Sequence, residues 1–131
     1  MIEEKLILDS QSEDMSIRWA VAKNPKTPID VLIKLSKDNI NLVRALVATN
    51  ENTPTNILIK LFSDEKIVRD GLSGNSSVPS KYLNILADDI DKMVRLRVAQ
   101  NKSTSKKTLQ KLANDISKDV SICAKTRLEN A

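Results

Sequence analysis

Four arginines recur along the 131-residue chain at nearly fixed spacing: Arg18, Arg44, Arg69 and Arg95. Three of them follow an aspartate by five or six residues, Asp38 before Arg44, Asp64 before Arg69 and Asp89 before Arg95. A planar guanidinium bonds a carboxylate, a phosphate or the free carbonyls at a helix end. The series therefore has two readings, an acid–base pair across each bend of a scaffold or a ladder facing a nucleic-acid backbone. A second cationic group, Arg97, Lys102, Lys106, Lys107 and Lys111, lies in the last third. Residues 92–131 carry 10 Lys/Arg against 3 Asp/Glu, or +7, whereas residues 1–91 carry 11 against 14, or −3. The two ends could be solvated caps, a basic platform for an acidic partner, or surfaces that associate weakly head to tail between copies.

Catalytic chemistry finds little to work with. Histidine is absent, which removes the commonest general base and zinc ligand. Cys123 is alone, so the chain holds no internal disulfide, multi-cysteine zinc site or iron–sulfur cluster, and a small packing residue is the expectation. The carboxylate pairs Asp88/Asp89 and Glu3/Glu4 are adjacent in sequence, so on a helix they point different ways. We expect no enzyme, no cofactor and no metal. Met1-Ile-Glu-Glu-Lys begins the chain without a long apolar run, and no signal peptide or membrane span is visible, so a cytoplasmic setting without a membrane partner is expected.

The elements that carry these residues repeat. A unit of about 26 residues can be aligned four times on Asn24, Asn50, Asn75 and Asn101, whose successive separations are 26, 25 and 26. Fixed periods of roughly 20 to 50 residues mark stacked repeats. In each unit a first helix is predicted from apolar residues at i, i+3 and i+4, as in Ile17, Ala20, Val21 and Val43, Leu46, Val47. In the fourth copy Arg97 stands between Val94 and Val98 where an apolar residue is expected, and an alternating, strand-like reading is open there. Asparagine closes the first helix, since it tolerates a left-handed C-terminal conformation. Thr27-Pro28 and Thr53-Pro54 then start a second helix, with threonine as N-cap and proline at the first helical position. Val78-Pro79 keeps only the proline and Thr104-Ser105 only the hydroxyl. Leu32/Leu35, Leu58/Leu61, Leu83/Leu86 and Leu109/Leu112 face the second helices inward. With 40% apolar but 2% aromatic residues, the core must be aliphatic. Helices this short need their neighbours to persist.

Written as Val/Ile-Arg-x-x-Val-Ala-x-Asn-Pro-x-Thr-Pro-x-x-x-Leu-x-x-Leu, the unit resembles the variant leucine-rich repeat family. The match is fullest in Ile17–Asp38 and Val43–Asp64, weaker in Val68–Asp89 and Val94–Asp115, and covers about residues 16 to 115. The resemblance implies an all-α, right-handed helical-repeat solenoid of alternating α and short α or 3₁₀ helices. Some relatives carry a cysteine-rich iron–sulfur segment, which has no counterpart here, and the family has no common catalytic residues to map. HEAT and armadillo repeats are a looser likeness, their period of about 40 residues being too long.

The whole chain reads as one helical-repeat domain: a cap at 1–15, repeats at 16–41, 42–66, 67–92 and 93–118, and a closing cap at 119–131. Ile2, Leu6 and Ile7 or Leu8 would form the first cap, and Val120-Ser121-Ile122-Cys123-Ala124 opens a fifth copy in which Lys125 and Arg127 replace Ala and Asn. What does not recur is where specificity belongs. Asp70 occupies the position of Trp19, Ala45 and Leu96, and both glycines of the chain, Gly71 and Gly74, follow it. Either that copy has drifted or another backbone approaches it closely. Trp19 could be an interaction anchor or a packing residue. The expected function is a non-enzymatic scaffold binding a protein or peptide along the solenoid surface. The alternative is nucleic-acid-backbone binding through the basic last third, which lacks aromatic residues for base stacking.

Overall fold

The computed structural model describes residues 1–130. Ten helices follow one another, with no strand among the described residues: α1 (Ile2–Asp9), α2 (Met15–Lys23), α3 (Ile29–Leu35), α4 (Asn41–Thr49), α5 (Thr55–Lys60), α6 (Lys66–Ser73), α7 (Ser80–Leu86), α8 (Lys92–Gln100), α9 (Lys106–Leu112) and α10 (Lys118–Glu129). None is long and apolar enough to cross a membrane. The first helices α2, α4, α6, α8 and α10 pack on one another in succession, whereas α3, α7 and α9 mainly meet a first helix. The first helices thus form the closely spaced side of an all-α stack.

Counting from Val43, each first helix has eight positions, ending at Asn50. The first position is sealed in Val43, Val68, Val94 and Val120, each 0% exposed. The fifth (Val21, Val47, Leu72, Val98, Ala124) and sixth (Ala22, Ala48, Ser73, Ala99) are buried as well. Each second helix adds its leucine pair from the other side, and all eight of those leucines are buried. The fourth position departs from the expected inward face: Ala20 and Arg97 are exposed and Leu46 is half-buried. Arg97 therefore does not interrupt a core stripe. It sits on the surface of a continuous helix, α8, and the strand-like alternative falls away.

The turn chemistry also differs from its sequence reading. Asn24, Asn50 and Asn101 cap their helices in extended conformation, with φ of −71°, −74° and −72°, and no residue among those described is left-handed. Pro28, Pro54 and Pro79, not the threonines, occupy the N-cap. The threonine hydroxyls donate backwards into the core, Thr27 to the Val21 carbonyl at 2.6 Å, Thr53 to Val47 at 2.7 Å and Thr104 to Val98 at 2.6 Å. In the fourth copy Ser105 does cap, accepting from the Thr108 N–H. The short helices are α-helical and finish in i→i+3 bonds, such as Asp38 N–H to Leu35 and Asp89 N–H to Leu86, which tighten the last turn. Each ends close to the aspartate that the first helix needs. In α1 only Leu6 is buried, while Ile2, Ile7 and Leu8 stay exposed.

Candidate interaction surface

The recurring polar residues turn inward and are used up in holding the stack together. Arg18 donates through Nε and Nη2 to Asp38, at 2.8 and 3.2 Å, and the same fork joins Arg44 to Asp64, Arg69 to Asp89 and Arg95 to Asp115. Every pair spans 20 residues, from the first helix to the end of the second helix after it. The aspartate five or six residues before an arginine supplies its backbone carbonyl instead: Asp38 to Arg44 at 2.7 Å, Asp64 to Arg69 at 2.8 Å and Asp89 to Arg95 at 2.9 Å. The expected carboxylate pairing across the bend is thus corrected, since one guanidinium takes a carboxylate ahead and a carbonyl behind. These side chains are half-buried in ion pairs, so no arginine ladder faces outward.

Electrostatics agree with the geometry. Burial works against ionisation of Asp38, Asp89 and Asp115, but hydrogen bonds from Arg18, Arg69 and Arg95 and from nearby backbone N–H groups outweigh it. Hydrogen bonds from Arg44 lead in Asp64. All four carboxyls lie below the usual carboxylate range.

A second frame, which sequence reasoning missed, comes from the asparagines. The Asn50 amide donates to the carbonyls of Ala22 and Asn24 at 2.9 and 3.0 Å, while its Oδ1 accepts from the Asn52 N–H. Asn75 reaches Ala48 and Asn50, and Asn101 reaches Ser73 and Asn75. Each therefore satisfies its own turn and two helix-end carbonyls of the preceding repeat. Arg127 fills the same slot by donating from Nη1 to Ala99 and Asn101 at 2.6 and 2.8 Å. The signal was present in sequence as Asn recurring where any turn residue would do.

The two glycines that do not recur have different surroundings. A Cβ at Gly71 would lie 2.7 Å from the Ala45 carbonyl oxygen, 3.1 Å from Thr49 Cγ2 and 3.3 Å from Ala48 Cβ. Glycine is thus what lets α6 close onto α4, and close approach explains this position. Gly74 is different: its Cβ would meet nothing nearer than Arg97 Cδ at 3.8 Å. A trough results, lined by Leu42, Leu46 and Thr49 of α4, Ile67 and Asp70 of α6 with Gly74 at its C-cap, and Arg97 of α8. Arg97 Nε donates to Asp70 at 2.7 Å along its edge.

Of the residues singled out from sequence, Asp70 and Arg97 alone come together. Trp19 lies on α2, half-buried against the core, with the Lys23 ammonium 4.5 Å from its ring centroid. Its Nε1 is buried without a hydrogen-bond acceptor. Lys102 is in the turn after α8, and Lys106 and Lys107 open α9, all exposed. Lys111, at the other end of α9, donates to the Asn84 carbonyl and to Asp88 at 3.1 and 3.0 Å. Cys123 is half-buried beside the core. Among the described residues no cluster of His, Cys, Asp and Glu could hold a metal ion.

No protein-family model matches the chain, and no curated protein does. Among solved structures it is similar to one described as a leucine-rich repeat variant with a novel repetitive protein structural motif. The identity is 24% and the TM-score 0.51, over 95% of this chain and 60% of that one. At this distance the likeness establishes a related all-α repeat fold.

Proposed function

We propose that the chain is a non-enzymatic repeat scaffold that holds a protein or peptide segment along its first-helix face. The observation that carries this reading is the trough between α4, α6 and α8. Its sides are aliphatic, Gly74 leaves its floor open, and the Asp70–Arg97 pair offers a polar edge. An apolar channel with few polar groups suits an extended segment that inserts one aliphatic side chain. In this proposal the array comprises four right-handed two-helix repeats, 16–41, 42–66, 67–92 and 93–118, closed by 1–15 and 119–131. The solved relative's likeness supports the architecture and leaves the ligand to experiment.

A random peptide library selected on the wild-type protein tests the site directly. Gly74→Arg should abolish binding of the enriched peptides with helicity and melting intact, because the position has room for a side chain. Enriched peptides that bind Gly74→Arg equally well would refute the trough. The nucleic-acid alternative retains Lys102, Lys106 and Lys107 as exposed cations, whereas Arg97 and Lys111 are engaged by Asp70 and Asp88. Absence of labelled single- or double-stranded DNA or RNA binding at low salt would dismiss it.

A further inference from the structure

The stack is built by one recurring contact, and α2 presents half of that contact to solvent. Where α4, α6, α8 and α10 each lie against the preceding first helix, the first-position valine is 0% exposed. Ile17, the first-position residue of α2, is 39% exposed. Ala20 beside it is exposed, as Arg97 is at the same position of α8, whereas Gly71 is buried against α4. Asn24 takes the Lys26 N–H on Oδ1, as its counterparts take theirs, but its Nδ2 meets no carbonyl among the described residues. These residues and Val21 line one side of a groove whose other side is Ile2, Leu6 and Asp9 of α1. Helix α1 also matches a second helix in its details. Ser10 Oγ donates to the Ile7 carbonyl as Ser36 Oγ does to Ile33, and Arg18 takes the Ser12 carbonyl as Arg44 takes that of Asp38. The groove therefore has the walls that receive a first helix elsewhere in the stack.

We propose that this α1–α2 groove docks one α-helix supplied in trans by another helical-repeat protein. The internal contacts define the helix. It carries aliphatic residues at its first and fifth positions, and its C-terminal carbonyls meet the Asn24 amide. Its sixth position is small, because Ala22, Ala48, Ser73 and Ala99 are each 0% exposed at the corresponding place. It needs no arginine at its second position, since Ser12 stands where the partner aspartate of the other repeats would be. That rule also says which helix does not fit. In α10 the sixth position is Lys125, which is exposed, and the helix continues to Glu129 past the place where the others end. A second copy offering α10 would have to bury an ammonium against α2.

The probe is a capped synthetic peptide with the sequence of residues 39–52, which contains α4 and Asn50, titrated into isotope-labelled protein. Saturable shifts of the Ile17 and Ala20 methyls and the Asn24 side-chain amide, at or below about 1 mM peptide, are expected. Ala20→Arg, at an exposed position, should weaken binding at least about tenfold while the spectrum stays folded. The same loss is expected for a peptide carrying Ala48→Lys. No saturable shift, shifts confined to the α4–α6–α8 trough, or equal binding of the Ala48→Lys peptide would each overturn the proposal. So would a dimer in sedimentation equilibrium that Ala20→Arg dissolves, because the occupant would then be a second copy. Loss of the trough's peptide binding in Gly74→Arg leaves this groove untouched, so the two readings fail separately.

Discussion

Replacing Asn75 by aspartate should reverse the sense of one contact without changing its shape. Asn75 is 2% exposed, and its amide donates to Ala48 and Asn50 at 2.8 and 3.1 Å while Oδ1 accepts from the Ser77 N–H at 2.8 Å. Asn75→Ala removes three bonds and strands two buried carbonyls, a loss of about 3 kcal/mol. Against a total of roughly 5–15 kcal/mol for a domain, that is a large fraction and lowers the melting temperature by about 10 °C. Asn75→Asp keeps the Ser77 bond but aims a carboxylate oxygen at two carbonyl oxygens, in a site shielded from water. It should be about 2 kcal/mol worse than alanine at pH 7. Burial and the facing carbonyls raise the introduced carboxyl's folded-state pKa above its unfolded value. Its penalty therefore shrinks as pH falls through that raised value, because the protonated acid can donate to one carbonyl. Urea denaturation of both variants at pH 7 and pH 5 measures the gap, and Asn24→Ala serves as a control. Asn24 gives up only the Lys26 N–H bond, so about 1 kcal/mol is expected. If Asn75→Asp matched alanine at pH 7, if the gap did not narrow at pH 5, or if Asn24→Ala cost as much as Asn75→Ala, the amide frame would not be what joins the repeats.

Gly71→Ala should destabilise by about 1–3 kcal/mol, since its methyl meets the Ala45 carbonyl at 2.7 Å. Gly74→Ala should stabilise by about 0.5–1 kcal/mol by restricting the unfolded chain, since this C-cap has a φ of −90° that alanine adopts freely and room for a Cβ; thermal melts of the pair should move in opposite directions. The lowered carboxyls of Asp38, Asp64, Asp89 and Asp115 contribute stability that is complete above the unfolded carboxylate value of about 3.9. That stability is lost as pH falls through their lower folded values, so wild-type urea midpoints should be flat from pH 7 to 5 and fall below pH 4. Trp19→Phe removes an indole N–H that is buried without an acceptor. The relief offsets lost packing, so its melting point should stay within the equivalent of about 1 kcal/mol of wild type, where Trp19→Ala loses about 3 kcal/mol or more.

The periodic apolar residues were legible because burial writes itself into spacing. The leucine pairs and the first- and fifth-position aliphatics went where the pattern put them from Val43 onward. Ile17 is the exception, and its exposure depends on a neighbour that spacing within its own helix cannot reveal. Pairing was harder for a reason peculiar to repeats. Asp38 lies six residues before Arg44 and Asp64 lies 20 after it, and both relations recur with the same period. Sequence alone cannot tell which carboxylate the guanidinium holds and which residue lends a carbonyl. Threonine is ambiguous in the same way: a hydroxyl before proline looks like a cap, but here the hydroxyl turns back into the core. The surface was legible only in outline. Asp70, the glycines and Arg97 stood out as departures, yet their meeting in one trough depends on a 27-residue reach between helices. The lysines at 102, 106, 107 and 111 looked like one patch in sequence and are split between a turn and the two ends of α9.

The two polar frames divide their labour in a way that bears on how such a chain can lengthen or shorten. The recurring side-chain-to-side-chain pairs, Arg with Asp, lie within one repeat. The recurring bonds between repeats run from a side chain to main-chain carbonyls, which every repeat possesses whatever its sequence. As far as these two frames go a repeat is interchangeable with its neighbours: duplication or deletion of a whole copy leaves each junction with its asparagine and arginine partners, whereas the close approach of α6 to α4 still requires Gly71 opposite the Ala45 carbonyl. Exposed contacts such as Arg97 with Asp70 obey no such rule, because they exist only between two particular copies. With Gly71 they are what distinguishes one order of the copies from another.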